Sequence, residues 1–165
     1  MADNLAIIKR VIDEHHTIRG HVKLVGDSVN DLEALFALQK TRPDWILSQL
    51  DALAEKQEKL QQTLSFLDEG LKNPFRFEEK LLPPLFGELL MRALTLEHRA
   101  IKKQIDEAKS AVAGLKLGGS SQKELLSQKA HIQQMVEGIL QLVEEHAAKE
   151  ETILKMLKKA LEDKG

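Results

Sequence analysis

The segment His146–Leu154 reads HAAKEETIL and decides how the chain folds. On a helix, residues four apart lie on one face, so His146 and Glu150 point the same way. Both continue an apolar stripe at steps of three and four, which is typical of a buried helix face. The stripe contains Ile132, Met135, Ile139, Leu142, Val143, Ile153 and Leu157. Because a buried, ionised carboxylate needs a compensating partner, Glu150 requires one, and a metal ion would satisfy both residues.

The composition indicates one globular domain over residues 1–165, with 42% hydrophobic and 30% charged residues. The 24 basic and 26 acidic side chains give no indication of nucleic acid or of an anionic membrane as a partner. Cysteine is absent, so disulfides and thiolate sites are excluded and any metal must bind nitrogen and oxygen. Since the sequence has neither a targeting pattern nor an apolar run of roughly 18 residues, we expect a cytoplasmic protein.

Residues that favour helix dominate, while aromatic residues make up 4% and tyrosine is absent. The sequence therefore predicts an all-α protein. Four apolar stripes with short connections favour an up-down-up-down four-helix bundle. The first helix is predicted from an N-cap at Asp3 to Lys40, followed by a turn at 41–44 that contains Pro43.

The second helix is predicted to break near residues 70–74. Proline in a helix interior removes a backbone hydrogen bond, so Pro74 is expected to start a new short helix capped by Asn73. That helix holds Phe75 and ends at Pro83–Pro84. We expect Phe75, with Phe77 and Phe86, to be core or a lid over the bundle end.

The remaining two helices are predicted over 85–113 and from a cap at Ser120 or Ser121 to Leu161. A flexible connection, Gly114–Ser121, joins them.

An internal similarity links the helices in pairs. Residues 14–18 and 97–101 both read E-H-x-x-I, and residues 78–82 and 150–154 both read E-E-x-x-L. In an antiparallel bundle these positions can converge at one level of the core. The inward set is then His15, Glu78, His98, His146 and Glu150. Such nitrogen and oxygen donors suit iron, and manganese or zinc less distinctively. Glu79 replaces Glu78 as the inward carboxylate if the helix restarts in another phase.

Taken together, these motifs resemble the hemerythrin-like HHE cation-binding domain, over residues 5 to 160. The resemblance implies a four-helix bundle that holds a non-haem di-iron site and binds or senses dioxygen, senses iron, or responds to nitric oxide. It implies metal ligands at His15, Glu78, His98, His146 and Glu150. Pro74 stands where the family has a further histidine, so the ligand set is incomplete. Two ions with water in the gap, one ion, a ligand borrowed from His16, and loss of tight binding all stay open.

The other polar residues near these motifs have simpler interpretations. Three histidines are expected at the surface or at an edge: His16, His21 and His131. Three carboxylates either orient the metal ligands or are solvated surface groups: Glu14, Glu97 and Glu151.

Three functions fit the sequence. The leading hypothesis is a non-enzymatic metal-binding bundle that binds or senses a small oxidant or stores the metal. The alternatives are a metal-free interaction module, suggested by Pro74, and a di-iron enzyme for peroxide or nitric oxide chemistry. Phosphate-binding loops, dinucleotide fingerprints, H-E-x-x-H and ferritin-type E-x-x-H pairs are all absent from the sequence.

Overall fold

A computed structural model describes residues 3–40, 47–115 and 122–163. These residues form helices and contain no strand, which confirms the predicted all-α class. The helices are α1 (Asn4–Lys40), α2 (Leu47–Leu81), α3 (Pro83–Phe86), α4 (Glu88–Ala113) and α5 (Gln122–Glu162). None of the described helices combines the length and the apolar character that crossing a membrane requires. The predicted turn at 41–44 and the cap at Ser120 or Ser121 lie outside the described residues.

The start of α1 agrees with the sequence prediction. Asp3 Oδ1 accepts a hydrogen bond from the backbone N–H of Leu5 at 3.0 Å, as an N-cap residue does. The helix then continues through Gly20 and Gly26 to Lys40 without interruption.

The predicted break in the second helix is wrong, because α2 runs through Gly70 and Pro74 to Leu81. A proline inside a helix costs about 3 kcal/mol. Burial outweighs this cost, since Leu67 and Leu71 on the preceding turns are buried and each buried leucine contributes roughly 1.5–3 kcal/mol. The chain leaves the helix instead at Leu82, before Pro83.

A short connection redirects the chain from α2 into α4. It consists of α3 and Gly87, whose φ of 86° is a conformation that residues with a Cβ rarely adopt. Because α3 and Gly87 occupy positions 83–87, α4 begins at Glu88 rather than at the predicted Leu85.

The four long helices pack in a ring, in which α1 and α4 each contact both α2 and α5. Their buried apolar residues form two separate clusters. The larger cluster includes Ile18, Leu71, Ile101 and Val143, and the smaller includes Val11, Leu82, Leu94 and Leu154. On every long helix, at least one buried polar residue lies between the residue named from the larger cluster and the residue named from the smaller cluster. We call these residues, His15, Glu78, His98, His146 and Glu150, the polar layer.

Candidate metal centre

The fold brings all five predicted site residues together in the polar layer. Each is almost fully buried, with exposed fractions of 0–4%. One ligand atom from each of Glu78, His98, His146 and Glu150 lies within 4.8 Å of all the others. His15 lies beside the two carboxylates, with its Nε2 3.6 Å from Glu78 Oε1 and 3.9 Å from Glu150 Oε1.

Glu78 occupies the middle of the layer. Its Oε1 faces His15, and its Oε2 lies 3.6 Å from His98 Nε2. The neighbouring Glu79 has a side chain that is 40% exposed. Glu78 is therefore the inward member of the pair, because α2 keeps one helical phase through Pro74.

The other two imidazoles face each other on one side of the layer. His98 Nε2 and His146 Nε2 lie 3.0 Å apart, and His146 Nε2 also contacts Glu150 Oε1. All three histidines thus direct Nε2 toward the two carboxylates. An ion shared by Glu78, His98, His146 and Glu150 can draw on nitrogen and oxygen donors from α2, α4 and α5, and His15 of α1 lies beside the two carboxylates.

The carboxylates provide a test of whether a cation fits here. All four oxygens of Glu78 and Glu150 are buried, and within the described residues none of them accepts a hydrogen bond of good geometry. Buried polar atoms in folded proteins nearly always have a partner, and leaving one without a partner costs about 1–3 kcal/mol. Metal ions would supply the missing partners, so the donor set fits a metal site.

Two carboxylates outside the layer hold two of the imidazoles. Glu97 Oε1 lies 2.8 Å from His146 Nδ1, and Glu151 Oε1 lies 3.2 Å from His15 Nδ1. Lys149 and Arg19 fix these carboxylates in turn, each through a 2.7 Å contact. With the proton on Nδ1, each ring presents the lone pair of Nε2 to the layer, which is the tautomer that a metal ligand requires.

His98 lacks such a partner. Its Nδ1 is buried and has no hydrogen bond in the part of the chain that the structure describes, and Glu79 Oε2 lies 3.6 Å away. Glu14, the third carboxylate considered in the sequence, binds Arg10 at 3.2 Å instead of a ring nitrogen. Of the three carboxylates singled out, Glu97 and Glu151 contact layer histidines and Glu14 does not.

Phe75 covers one face of the layer. Its ring stacks on His98, with the centroids 3.8 Å apart and the planes 6° from parallel, and it meets the edge of His146 at 5.8 Å. Phe77 and Phe86 pack against the smaller apolar cluster instead. Phe75 packs against the larger apolar cluster, which agrees with its predicted place in the core. Its stacking on His98 was not predicted, because the predicted break at Pro74 separated Phe75 from the second helix.

Burial and proximity set the charges of the layer. Burial raises the pKa of Glu78 well above its usual range, and the adjoining Glu150 carboxylate raises it further. Burial opposes ionisation of Glu150 as well, but Glu78 and His146 lower its pKa to about 2. Burial and the nearby His146 lower the pKa of His98 to about 4. A metal that binds at neutral pH therefore displaces a proton from the carboxylate pair.

The remaining histidines lie outside the layer. His16 and His131 are exposed. His21 is half-buried and packs on α2 at Gly70, where an added Cβ would lie 3.0 Å from the imidazole ring. His16 lies outside the layer and therefore does not replace the missing histidine. Pro74, which stands at that position of the sequence, is buried.

One comparison with known proteins gives a match. The sequence model of the hemerythrin HHE cation binding domain matches residues 6–157, which include the whole polar layer. No curated protein and no solved structure matches the chain.

Proposed function

The chain belongs to the hemerythrin HHE cation-binding domain family, and from this premise we propose that its polar layer binds two iron ions. The observation that carries the proposal is the position of Glu78, whose oxygens face His15 and His98 separately. A carboxylate placed in this way can bridge two ions. His15 would hold one ion and His98 with His146 the other, while Glu150 lies against both sides.

The chemistry of the donors supports iron. Imidazole nitrogens and carboxylate oxygens suit iron, and they suit manganese or zinc less distinctively. Within the described residues the four carboxylate oxygens have no hydrogen bonds, and two divalent ions would supply both partners and positive charge.

We assign the centre a non-enzymatic role in binding or sensing dioxygen or nitric oxide. Iron, when bound, supplies a centre that can take up a diatomic ligand. Pro74 offers no donor where the family has a histidine, so a coordination position is free for such a ligand. Glu97 and Glu151 keep two of the imidazoles oriented, and the Phe75 ring covers one face of His98.

We further propose that residues 1–165 form one domain with up-down-up-down helix order. Contacts between α1 and α2 support this order. Asp31, late in α1, lies 3.9 Å from Lys59, whereas the earlier His21 packs on the later Gly70. Residues of the two helices therefore meet in reverse order.

Iron content tests the metal site. Protein purified without a histidine tag, then loaded with ferrous iron without oxygen, is analysed by elemental mass spectrometry. The wild type and the control His131→Ala, which alters an exposed histidine of the same helix, should hold about two ions per chain. His146→Ala should lose most of this iron. Absence of iron from the wild type, or equal iron in His146→Ala, would overturn the proposal and favour the metal-free interaction module.

The free coordination position has its own test in Pro74→His, which restores the histidine four residues before Glu78. We expect this variant to bind nitric oxide more weakly in the ferrous state, because the new imidazole occupies the position that the ligand would take. Absorption titrations compare it with the wild type and with Pro74→Ala, which changes the helix without adding a donor. Equal affinities for Pro74→His and Pro74→Ala would show that the ligand binds elsewhere.

A further inference from the structure

An open cleft of about 720 Å³ lies between α2 and α4. Its volume falls within the range of small-molecule binding sites, roughly 300–1,000 Å³. At one end it reaches Phe75 and His98, and along α4 it extends to Ser110. The eleven steps from Arg99 to Ser110 span about 16 Å at 1.5 Å per residue, so the cleft suits an elongated molecule.

The floor of the cleft is apolar. Leu71 from α2 and Ile105 from α4 form its deeper part, and Phe75 closes the end beside the polar layer. The combination of an apolar floor with polar groups along the rim is typical of sites for small organic molecules.

The rim carries charges in a definite order. Arg99 and Lys103 line it near the layer, whereas Asp106 and Glu107 line it toward the far end. Arg99 and Lys103 are four residues apart on one helix face, and such like-charged pairs destabilise a helix. Within the described residues neither cation has an ion pair or a hydrogen bond, although Lys102 between them binds Asp68 and Asp106.

The floor near these cations contains another group that needs a partner. His98 Nδ1, at the end of the cleft where Arg99 lies, is buried and has no hydrogen bond from residues 3–40, 47–115 and 122–163. An acceptor oxygen that approached along the cleft would satisfy this nitrogen and compensate the two cations. Glu79 stands nearby at 3.6 Å without making that hydrogen bond.

We propose that the cleft between α2 and α4 binds an elongated apolar carboxylate. The carboxylate group lies at the end of the cleft formed by Arg99, Lys103 and His98. The apolar body extends over Leu71 and Ile105 toward Ser110. This site uses the outer face of the layer and needs no metal, so it stands or falls separately from the iron proposal.

Octanoate is the probe, and 1-octanol is its uncharged counterpart of similar length. Calorimetric titration of metal-free, full-length protein should detect octanoate binding. The double variant Arg99→Gln with Lys103→Gln should lower the affinity for octanoate on the order of tenfold and leave the affinity for octanol unchanged, because only the anion loses its charged partners. The control is Arg92→Gln with Lys155→Gln, two exposed cations outside the cleft, and it should bind octanoate as the wild type does.

A second pair of variants tests the location. Ser110→Trp fills the far end of the cleft and should abolish binding of both probes, whereas Ser127→Trp, at an exposed position on α5, should not. Circular dichroism and iron content should be unchanged in all these variants. The proposal is overturned if octanoate fails to bind, if the double variant binds it like the wild type, or if Ser110→Trp leaves its affinity intact.

Discussion

Replacing Glu78 by leucine should stabilise the metal-free protein while it abolishes metal loading. The Glu78 side chain is 2% exposed, and among the described residues neither of its oxygens accepts a hydrogen bond. Leucine has a similar volume and needs no partner. Removing a buried polar group that has no hydrogen-bond partner relieves a cost of about 1–3 kcal/mol, and Glu150, the other buried carboxylate, keeps its contact with His146. Since part of the cost at Glu78 is already relieved by protonation, we expect about 1–2 kcal/mol.

The assay is urea and thermal unfolding in a chelator, followed by circular dichroism. For a domain of this size each kcal/mol raises Tm by about 2–4 °C. The control Glu58→Leu makes the same change at an exposed position of α2 and should alter stability by no more than about 0.5 kcal/mol. Loading with ferrous iron should raise the Tm of the wild type and leave Glu78→Leu unchanged. A metal-free Glu78→Leu protein less stable than the wild type would show that the carboxylate is stabilised without metal and would refute the reasoning.

Two further predictions concern the histidines. Glu97→Ala should weaken iron binding by about 10- to 100-fold, because His146 loses the carboxylate that orients it. Competition with a chelator measures the iron affinity. An equal loss of affinity in the exposed control Glu145→Ala would contradict the prediction. His98 has a pKa near 6.5 in the unfolded chain and about 4 in the folded state. The free energy of unfolding of the metal-free wild type, relative to that of His98→Gln, should therefore fall as the pH drops from 6.5 to 4. The slope is at most about 1.4 kcal/mol per pH unit. Urea unfolding at several pH values measures this difference, and a difference independent of pH would contradict it.

Periodicity alone was enough to predict where the polar residues go. His15, His98 and His146 continue stripes whose other members need burial, so their inward direction follows from helix geometry. The stripe of the last helix was nevertheless predicted slightly out of phase. Val136, Ala147 and Leu154 are fully buried, whereas predicted members such as Met135 are only half-buried. A long helix drifts relative to a fixed pattern of threes and fours, and only the packed neighbours decide its final phase.

Pro74 shows why the second helix could not be predicted. Local rules treat a proline after a glycine as a helix end, because they count only the lost hydrogen bond and the clash. The compensating burial of Leu67 and Leu71 depends on α1 and α4, which are distant in sequence. The error also concealed Phe75, since its stacking on His98 requires α2 to keep its phase through the proline.

The sequence left the roles of Glu97 and Glu151 undecided for a different reason. A glutamate beside a histidine motif is solvated or oriented inward depending on a cation from another part of the chain. Arg19 fixes Glu151 across the α1–α5 contact, and Lys149 fixes Glu97 across the α4–α5 contact. Such pairs become visible only when the helices are assembled.

The position of the polar layer between two apolar clusters has a consequence for how the sequence can evolve. No residue of the layer belongs to either cluster. Volume-conserving exchanges within an apolar cluster usually cost less than about 1.5 kcal/mol, and changes at distant sites act additively. Mutation of cluster residues that are remote from the layer can therefore alter the thermal tolerance of this bundle while the donor set stays the same, so adaptation to temperature through these residues can proceed independently of adaptation of the metal chemistry.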